Sequence, residues 1–224
     1  MDINPLSQRD STLKDKKLGT SNLLIWDYGC VVTCLTMLIN YATGRKYTVD
    51  TVNQLLIANG GFYDNSLLWW TEVYKAFPFL KFSWRAWTYD NTSVVDYVNN
   101  RKIPVIVQVD AAPIGAPRSD HYVLFKGGGQ LIDPWDGKVK PTSTYPNLKG
   151  YILYEIDRSK ITENTQETVE SLQQKVNDLQ QTEKRLREEW IKKESDMRVE
   201  FDKRLKEVEN KKLDDVINYA QSLR

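Results

Sequence analysis

The chain has 224 residues, of which 41% are hydrophobic, and a formal net charge of +1 at pH 7. This length allows one domain of ordinary size with an extension, or two small domains. The near-neutral charge argues against a nucleic-acid-binding protein, which needs a basic face to displace counterions from phosphate. The start MDINPLSQRD lacks the apolar run of a secretory signal, and no stretch reaches the roughly 18 apolar residues of a membrane span. We therefore expect synthesis in the cytoplasm and no transmembrane segment.

Charge is unevenly distributed along the chain. Residues 1–160 contain 18 basic and 15 acidic side chains, whereas residues 161–224 contain 13 and 15. From Thr162 onward the chain contains neither glycine nor proline. We expect a globular domain over residues 1–160 and a helical segment over residues 161–224.

The first part of the globular domain is predicted to be helical. Gly29 breaks the chain before CVVTCLTMLINYATG, an apolar run that predicts a buried helix ending near Gly44. The stretch TVDTVNQLLIANGG predicts a second helix with Thr48 as its N-cap, and SLLWWTEVYKAF predicts a third, closed by Pro78.

After Pro78 the pattern is typical of strands. Five short segments are rich in β-branched residues or alternate between apolar and polar ones: KFSWRAWTY, PVIVQV, HYVLF, QLIDP and YILYEI. The segment SVVDYVNNR, which lies between the first two, predicts a short helix. Helices followed by antiparallel strands predict an α+β fold. A helical subdomain against a sheet leaves a cleft of the kind that holds small substrates and peptides.

The two cysteines, Cys30 and Cys34, lie one helical turn apart. This spacing is poor for a disulfide and does not match a CxxC motif, so we expect two reduced thiols. Cys30 opens the first predicted helix directly after Gly29. A helix N-terminus lowers the pKa of a thiol, because its unpaired N–H groups and its dipole favour the thiolate. The alternative for Cys30 is a buried structural cysteine.

His121 is the single histidine of the chain and starts the predicted strand HYVLF, and the next predicted strand ends in Asp133. A core or surface histidine is the alternative to a catalytic one. If the two strands form a hairpin through KGGG with an odd number of loop residues, positions 121 and 133 face each other. Their Cβ atoms would then lie about 4.5–5.5 Å apart, whereas an even loop would put them on opposite faces.

In the first arrangement, Asp133 would fix the tautomer of His121 and stabilise its cation, while the other ring nitrogen faces the thiol. The alternative for Asp133 is an Asp-Pro turn residue. Asp136 is a rival for the catalytic position, and Asp133 is favoured because it still belongs to the strand.

These segments carry a family resemblance. DYGCVVTCLTMLINYATG resembles the Tyr-Gly-Cys helix start of the C39-like peptidase group in the papain-like superfamily. DHYVLF resembles the histidine strand of that group, and LIDPWDG resembles its Asp-Pro turn, with the same order and spacing across roughly residues 5–157. The resemblance implies a papain-like fold and a cysteine peptidase with a Cys30, His121 and Asp133 triad.

The family also has an upstream glutamine whose amide helps to form the oxyanion hole, and Gln8 matches that position. Such a donor stabilises the tetrahedral intermediate together with the backbone N–H of Cys30. The chain departs from the family at Cys30-Val31-Val32-Thr33-Cys34, where many members read Cys-Gly-Pro-Thr-Ser. Cys34 falls where the family has a small residue facing the core, which favours a structural role.

Two other sets of residues have side chains suited to a site. A zinc site from Cys30, Cys34 and His121 has three suitable ligands but no recognisable spacing, so no metal or other cofactor is expected. Aromatic rings can stack on sugars and apolar side chains, although about half of them are expected in the core. The tryptophans that could line a groove are Trp69, Trp70, Trp84, Trp87 and Trp135. We predict substrate contacts for Trp135, Tyr28 and Trp69.

The tail shows the a/d heptad spacing of a coiled coil, with a four-residue slip in phase near its middle. The apolar positions are Val169, Leu172, Val176, Leu179, Leu186, Trp190 and Met197, and after the slip Phe201, Leu205, Val208, Val216, Ala220 and Leu223. A continuous helix over residues 163–224 would be roughly 90 Å long. We expect it to form a homo-oligomer or to bind a partner helix, and a single charged helix is the alternative.

Three functions follow from these expectations. A C39-like head, no export signal and a coiled-coil tail resemble phage- or prophage-encoded proteins, which implies a virion-associated enzyme that cuts peptide crossbridges of the host cell wall. The second possibility is a structural virion component whose head is a binding module. The third is a peptidase that processes a protein partner, which the lack of a transporter domain speaks against.

Overall fold

A computed structural model describes residues 1–115, 120–161 and 164–222. The chain divides into two compact units, Met1–Thr165 and Gln166–Arg224. The helices and strands of the first unit are, in chain order, α1 (Ile25–Tyr28), α2 (Cys30–Thr43), α3 (Val49–Ala58), β1 (Phe62–Tyr63), β2 (Leu67–Leu68), α4 (Val73–Ala76), β3 (Leu80–Ala86), α5 (Asn91–Val95), β4 (Val105–Asp110), β5 (Asp120–Gly127), β6 (Gln130–Asp133), β7 (Lys138–Pro141) and β8 (Leu148–Ile156).

The strands after α4 form one six-stranded sheet in the order β3-β8-β4-β5-β6-β7, and every neighbouring pair is antiparallel. The α+β class predicted from the sequence is confirmed. The predicted strands correspond to β3, β4, β5, β6 and β8. Strand β7 was not predicted, because its sequence KVKP is polar, ends in proline and is mostly exposed.

Helix α2 is the central element of the helical part and packs against β5 and β4. Its side chains are buried almost all round, which explains why its sequence is apolar without a polar face. The predicted end is confirmed, because Gly44 caps the helix in the left-handed conformation, at a φ of 70°. Thr48 is the predicted N-cap of α3, and its Oγ1 accepts a hydrogen bond of 3.1 Å from the backbone N–H of Thr51.

The start of α2 requires glycine at position 29. Gly29 follows α1 directly, and a Cβ atom there would lie 2.5 Å from Cγ2 and 2.6 Å from the carbonyl oxygen of Ile25. Any larger residue would push α1 away from the start of α2. The glycine therefore sets the position at which Cys30 opens the helix.

The helix predicted for SLLWWTEVYKAF is wrong in its first half. Asp64 and Asn65 have positive φ angles of 49° and 64°, and they turn the chain so that Leu67 pairs with Tyr63. Asp and Asn tolerate this conformation better than other side chains do. The backbone N–H of Trp69 then donates to the carbonyl of Gly61 at 2.8 Å, which extends the hairpin. A helix begins only after this, as a 3₁₀ turn followed by α4.

The tail is the helix α6 (Asn164–Ser222). Of the predicted a/d residues, the exposed ones include Leu179, Leu186, Trp190, Met197, Phe201 and Leu205, each with 49–69% of its surface accessible. Leu223 and the side chains of Val169, Leu172, Val208, Val216 and Ala220 lie outside the described residues. No helix in the described ranges is both long enough and apolar enough to cross a membrane.

Candidate active site

The packing of α2 on β5 brings Cys30 and His121 together. Cys30 is the first residue of α2 and His121 is the second residue of β5. Both side chains are buried, with only 3% and 2% of their surfaces exposed. The Cys30 side chain lies within hydrogen-bonding reach of the His121 imidazole. The predicted contact between thiol and imidazole is therefore observed.

His121 also contacts Asp133, again as predicted. Its Nε2 donates a hydrogen bond of 2.8 Å to Asp133 Oδ1. Because Nε2 is used in this way, Nδ1 is the ring nitrogen left for Cys30. The three residues form one buried chain from carboxylate to imidazole to thiol, the arrangement in which a carboxylate orients a base beside its nucleophile.

The hairpin between β5 and β6 decides between the odd and the even loop. Its loop has two residues, Gly128 and Gly129, with positive φ angles of 63° and 68°. This is the conformation that the commonest two-residue hairpin turn requires. Of the two cases that the sequence left open, the even loop is the one observed, and an even loop alone would have separated the two side chains.

A bulge at Lys126 compensates for the even loop, because the pairing register shifts there by one residue. Without the shift, the ladder would put Asp133 opposite Leu124, whose side chain lies on the other face of the sheet from His121. Continuing the observed register brings Asp133 opposite Val123 instead, on the face of His121. The two catalytic candidates are therefore diagonal neighbours rather than a directly opposed pair.

Asp133 is fully buried, and its carboxylate accepts hydrogen bonds from four donors. Besides His121, the backbone N–H of Trp135 donates to Oδ1 at 2.9 Å. Lys140 Nζ and the Tyr145 hydroxyl each donate to Oδ2 at 2.6 Å. Burial by itself would raise the pKa of Asp133, but the bonds from His121, Lys140 and Tyr145 outweigh burial and hold it well below its usual value. The carboxylate stays ionised at neutral pH.

The same network changes the proton affinity of His121. Burial opposes its protonation, but hydrogen bonds to Asp133 and Cys30, and the charges of both, outweigh burial and raise the pKa of His121 from 6.5 to about 9. The imidazole is therefore protonated at neutral pH. A cation in contact with Cys30, at the start of a 14-residue helix, favours the thiolate form of that side chain.

Gln8 is 99% buried and lies between the two halves of the site. Its backbone N–H donates to the carbonyl of Pro134 at 2.7 Å, directly after Asp133 in the chain. Its side-chain Nε2 donates to the carbonyl of Trp26 at 3.0 Å, in the short helix that leads into Cys30. An amide nitrogen has two hydrogens, so one of them is left for another acceptor.

The predicted substrate-contact residues have different surroundings. Trp135 lies edge-on to the His121 ring at 6.4 Å, and the Arg9 guanidinium lies 3.5 Å from the centre of the Trp135 ring. Tyr28 lines a cavity of about 330 Å³ beside the start of α2. Trp69 does not line this cavity, and its ring is 48% exposed and packs on Tyr63. Of the other tryptophans predicted to line a groove, Trp70 and Trp87 line this cavity.

The two alternative residues have other partners. Asp136 forms an ion pair of 3.1 Å with Lys140, whereas Asp133 is the carboxylate bonded to His121. Cys34 is fully buried, forms no disulfide, and donates a long hydrogen bond of 3.5 Å to the carbonyl of Tyr122. Burial, together with the charges of Cys30 and Asp133, raises the pKa of the Cys34 thiol well above its usual value.

Among the described residues, no cluster of three His, Cys, Asp or Glu side chains is placed to hold a metal ion.

Lys140 and Tyr145 were missed by the sequence analysis. Lys140 lies on β7, which was not predicted, and Tyr145 follows a 3₁₀ turn in the polar segment PTSTYPN. Burial first, and then the bond to Asp133, raise the pKa of Tyr145 well above its usual value, so its hydroxyl remains a donor. Neither residue carries a motif, and only the folded sheet brings them to Asp133.

The titration of His121 provides a direct test, because it is the chain's single histidine. In the folded protein the imidazole NMR signals should titrate with a midpoint near 9, and in the urea-unfolded chain near 6.5. Asp133→Asn should lower the folded midpoint by at least about one unit, because an ionised hydrogen-bond acceptor is lost. Asp136→Asn is the matched control and should leave it unchanged. A wild-type midpoint near 6.5 would contradict this description of the site.

Comparisons with known proteins give no relative for this chain. No protein-family model matches it, and searches of curated proteins and of solved structures found no significant match.

Proposed function

We propose that the first unit is a cysteine hydrolase of papain-like fold that cleaves peptide or amide bonds. Cys30 is the nucleophile, His121 is the general acid and base, and Asp133 orients the imidazole. The observation that carries the proposal is the buried chain of contacts from Asp133 through His121 to a thiol at a helix start. A structural cysteine needs no protonated imidazole beside it, whereas such a cation favours the thiolate, which is the nucleophilic form.

In the acylation step, the Cys30 thiolate attacks the carbonyl carbon of the scissile bond. The C–S bond forms while the carbonyl π electrons move to oxygen, giving a tetrahedral oxyanion. Collapse of this intermediate breaks the C–N bond, and His121 transfers the proton on Nδ1 to the departing amine. The products of this step are a free amine and a thioester on Cys30.

The oxyanion needs donors that are already in place. The second hydrogen of Gln8 Nε2 and the backbone N–H of Cys30 are the groups proposed for it. Gln8 is suited to this purpose because the Trp26 carbonyl holds its side-chain Nε2 and the Pro134 carbonyl holds its backbone N–H. Removing one such donor typically costs about 10²- to 10³-fold in rate.

Deacylation reverses the proton transfers. His121, now neutral, takes a proton from a water molecule that attacks the thioester carbonyl, and the collapse of the second intermediate releases the acid and the Cys30 thiolate. Asp133 stabilises the imidazolium that forms again. Because Lys140 and Tyr145 hold the other carboxylate oxygen, the orientation of Asp133 does not depend on His121 alone.

For the substrate, we propose the peptide crossbridges of a bacterial cell wall, with the protein associated with a virion. This part of the proposal is supported by the resemblance to C39-like heads joined to coiled coils in phage-encoded proteins. The other two possibilities remain outcomes of the experiments below. They are a structural virion component with a binding head and a peptidase that processes a protein partner.

Alkylation with iodoacetamide at pH 6 tests the thiol chemistry. An ordinary thiol with a pKa near 8.5 is almost entirely protonated at this pH. We expect Cys30 to be alkylated at least about 100-fold faster than Cys34, which lies on the same helix, is also buried and serves as the internal control. His121→Ala should remove most of the difference. Equal labelling of the two cysteines, measured by peptide mass spectrometry, would refute the enzyme proposal.

Turbidity of purified cell walls tests the substrate. Wild-type protein and Cys34→Ala should clear the suspension and release new amino groups, whereas Cys30→Ala should do neither. Intact walls together with fast alkylation of Cys30 would exclude the wall as substrate and favour a protein-processing peptidase. Intact walls together with slow alkylation would favour a head that only binds.

For the tail, we propose that α6 pairs with the same helix of a second copy. The support is the exposed apolar series of α6, which has no cover within the described part of the tail. Leu186 and Trp190 belong to this series and are 54% and 65% exposed. In coiled coils, apolar a and d side chains are usually buried against the a and d side chains of a partner helix.

Leu186→Glu should weaken this association, because it puts a charge into the apolar seam. The matched control is Ile191→Glu, which makes the same chemical change at a side chain that is 56% exposed but lies outside the a/d positions. In sedimentation equilibrium of the full chain, the wild type and the control should be oligomeric and Leu186→Glu should shift towards monomer. A monomeric wild type at micromolar concentrations would refute the pairing.

A further inference from the structure

A cavity of about 330 Å³ lies beside the start of α2, the helix that Cys30 opens. Tyr28, Val31 and Val32 form one wall of the cavity, and they flank Cys30 in the chain. The β1–β2 hairpin forms a second wall, and the end of β3 forms a third. Tyr122, the residue after His121, also lines the cavity. Chain neighbours of Cys30 and His121 thus line the cavity, and the Tyr122 side chain lies on the opposite face of β5 from His121.

The walls are mainly apolar or aromatic, and the charged residue among those that line the cavity is Arg85. Val31, which stands where the C39-like pattern has glycine, adds an apolar side chain to one wall. A volume of 330 Å³ is at the low end of the range for ligand sites. It therefore suits one residue of a peptide rather than a whole cofactor.

Arg85 is half-buried, and aromatic groups surround it. Its guanidinium carbon lies 3.9 Å from the centre of the Trp87 ring and 5.4 Å from that of Trp70. One of its NH₂ groups donates to the Tyr122 hydroxyl at 3.3 Å. Within residues 1–115, 120–161 and 164–222, no carboxylate forms an ion pair with Arg85.

This arrangement differs from that of Arg101 and Arg9 in the same unit. Arg101 binds Asp96 at 2.9 Å and Glu155 at 2.8 Å, and Arg9 faces Asp27 at 3.6 Å. The Arg85 cation is instead partly removed from water by rings that supply no negative charge. A guanidinium in such a place favours a carboxylate, which it can bind through two parallel N–H bonds.

We propose that this cavity binds a substrate residue with an apolar stem and a terminal carboxylate, and that Arg85 selects it. The inference rests on the proposed function, since it assigns the cavity to the substrate that Cys30 attacks. The stem packs against Val31 and the aromatic walls, and the carboxylate reaches Arg85. A neutral side chain of the same shape leaves the guanidinium without an anion, and a cationic side chain is repelled.

The test measures binding in a Cys30→Ala background, where no bond is cleaved. The probes are two blocked peptides, acetyl-Ala-Glu-Ala-Ala-amide and its Gln counterpart, which differ only in the carboxylate. By isothermal titration calorimetry, the Glu peptide should bind at least about tenfold more tightly, as one charge-assisted bidentate contact allows. A third probe, the Gln peptide with a free C-terminus, distinguishes a side-chain carboxylate from a chain terminus.

Variants then assign the preference to Arg85. Arg85→Gln should abolish the difference between the Glu and Gln peptides, and Arg85→Lys should retain part of it. Lys81→Gln is the matched control, because it removes one positive charge from the same strand at an exposed residue that does not line the cavity. It should leave the preference unchanged. Circular dichroism checks that each variant is folded.

The outcomes separate this inference from the proposed function. Equal binding of the Glu and Gln peptides, no detectable binding of any probe, or an equal effect of Lys81→Gln and Arg85→Gln would overturn the inference. Slow alkylation of Cys30 together with an Arg85-dependent preference would instead refute the hydrolase proposal and leave a carboxylate-binding cavity.

Discussion

The arrangement of the candidate site depends on one buried carboxylate. Asp133 has no exposed surface, so its charge is stable only because four donors surround it. These donors come from β5, from the turn after β6, from β7 and from the segment before β8. A single charge therefore ties together four parts of the fold, and it fixes His121 in the orientation that faces Cys30. Breaking one contact would leave a buried ion short of partners, which costs far more than one surface ion pair contributes.

The second constraint is at the start of α2. Gly29 permits a junction that no side chain could occupy, and Cys30 follows it as the first helical residue. The rest of α2 is held by burial against the sheet, so the thiol is fixed by the core rather than by a mobile loop. Catalysis by a positioned thiol and imidazole needs this rigidity, because small displacements of reacting groups are costly in rate.

The cavity links the proposed reactivity of Cys30 to the proposed selectivity for a substrate carboxylate. Residues on either side of Cys30 form one wall of the cavity, which the proposal assigns to a substrate side chain next to the scissile bond. Arg85 lies on β3, which has no part in the triad, and it supplies the charge that the apolar walls lack. The proposed recognition charge thus lies on a strand that gives no donor to Asp133, while α2 and β5 contribute to both the triad and the cavity walls.

Local patterns in the sequence were enough for α2, its Gly44 end, the Thr48 cap and the longer strands, because hydrophobic period and capping chemistry act over a few residues. They also singled out Cys30, His121 and Asp133, whereas Gln8 came from the family resemblance. The β1–β2 hairpin was missed because the apolar run after Asp64 and Asn65 was interpreted as a helix, although these two residues form a turn. A bulge at Lys126 determines on which face of the sheet the Asp133 side chain lies, because a shift of one residue in strand register moves a side chain to the other face. Lys140, Tyr145 and Arg85 reach their positions only through strand order and packing, which are long-range properties that no local pattern records.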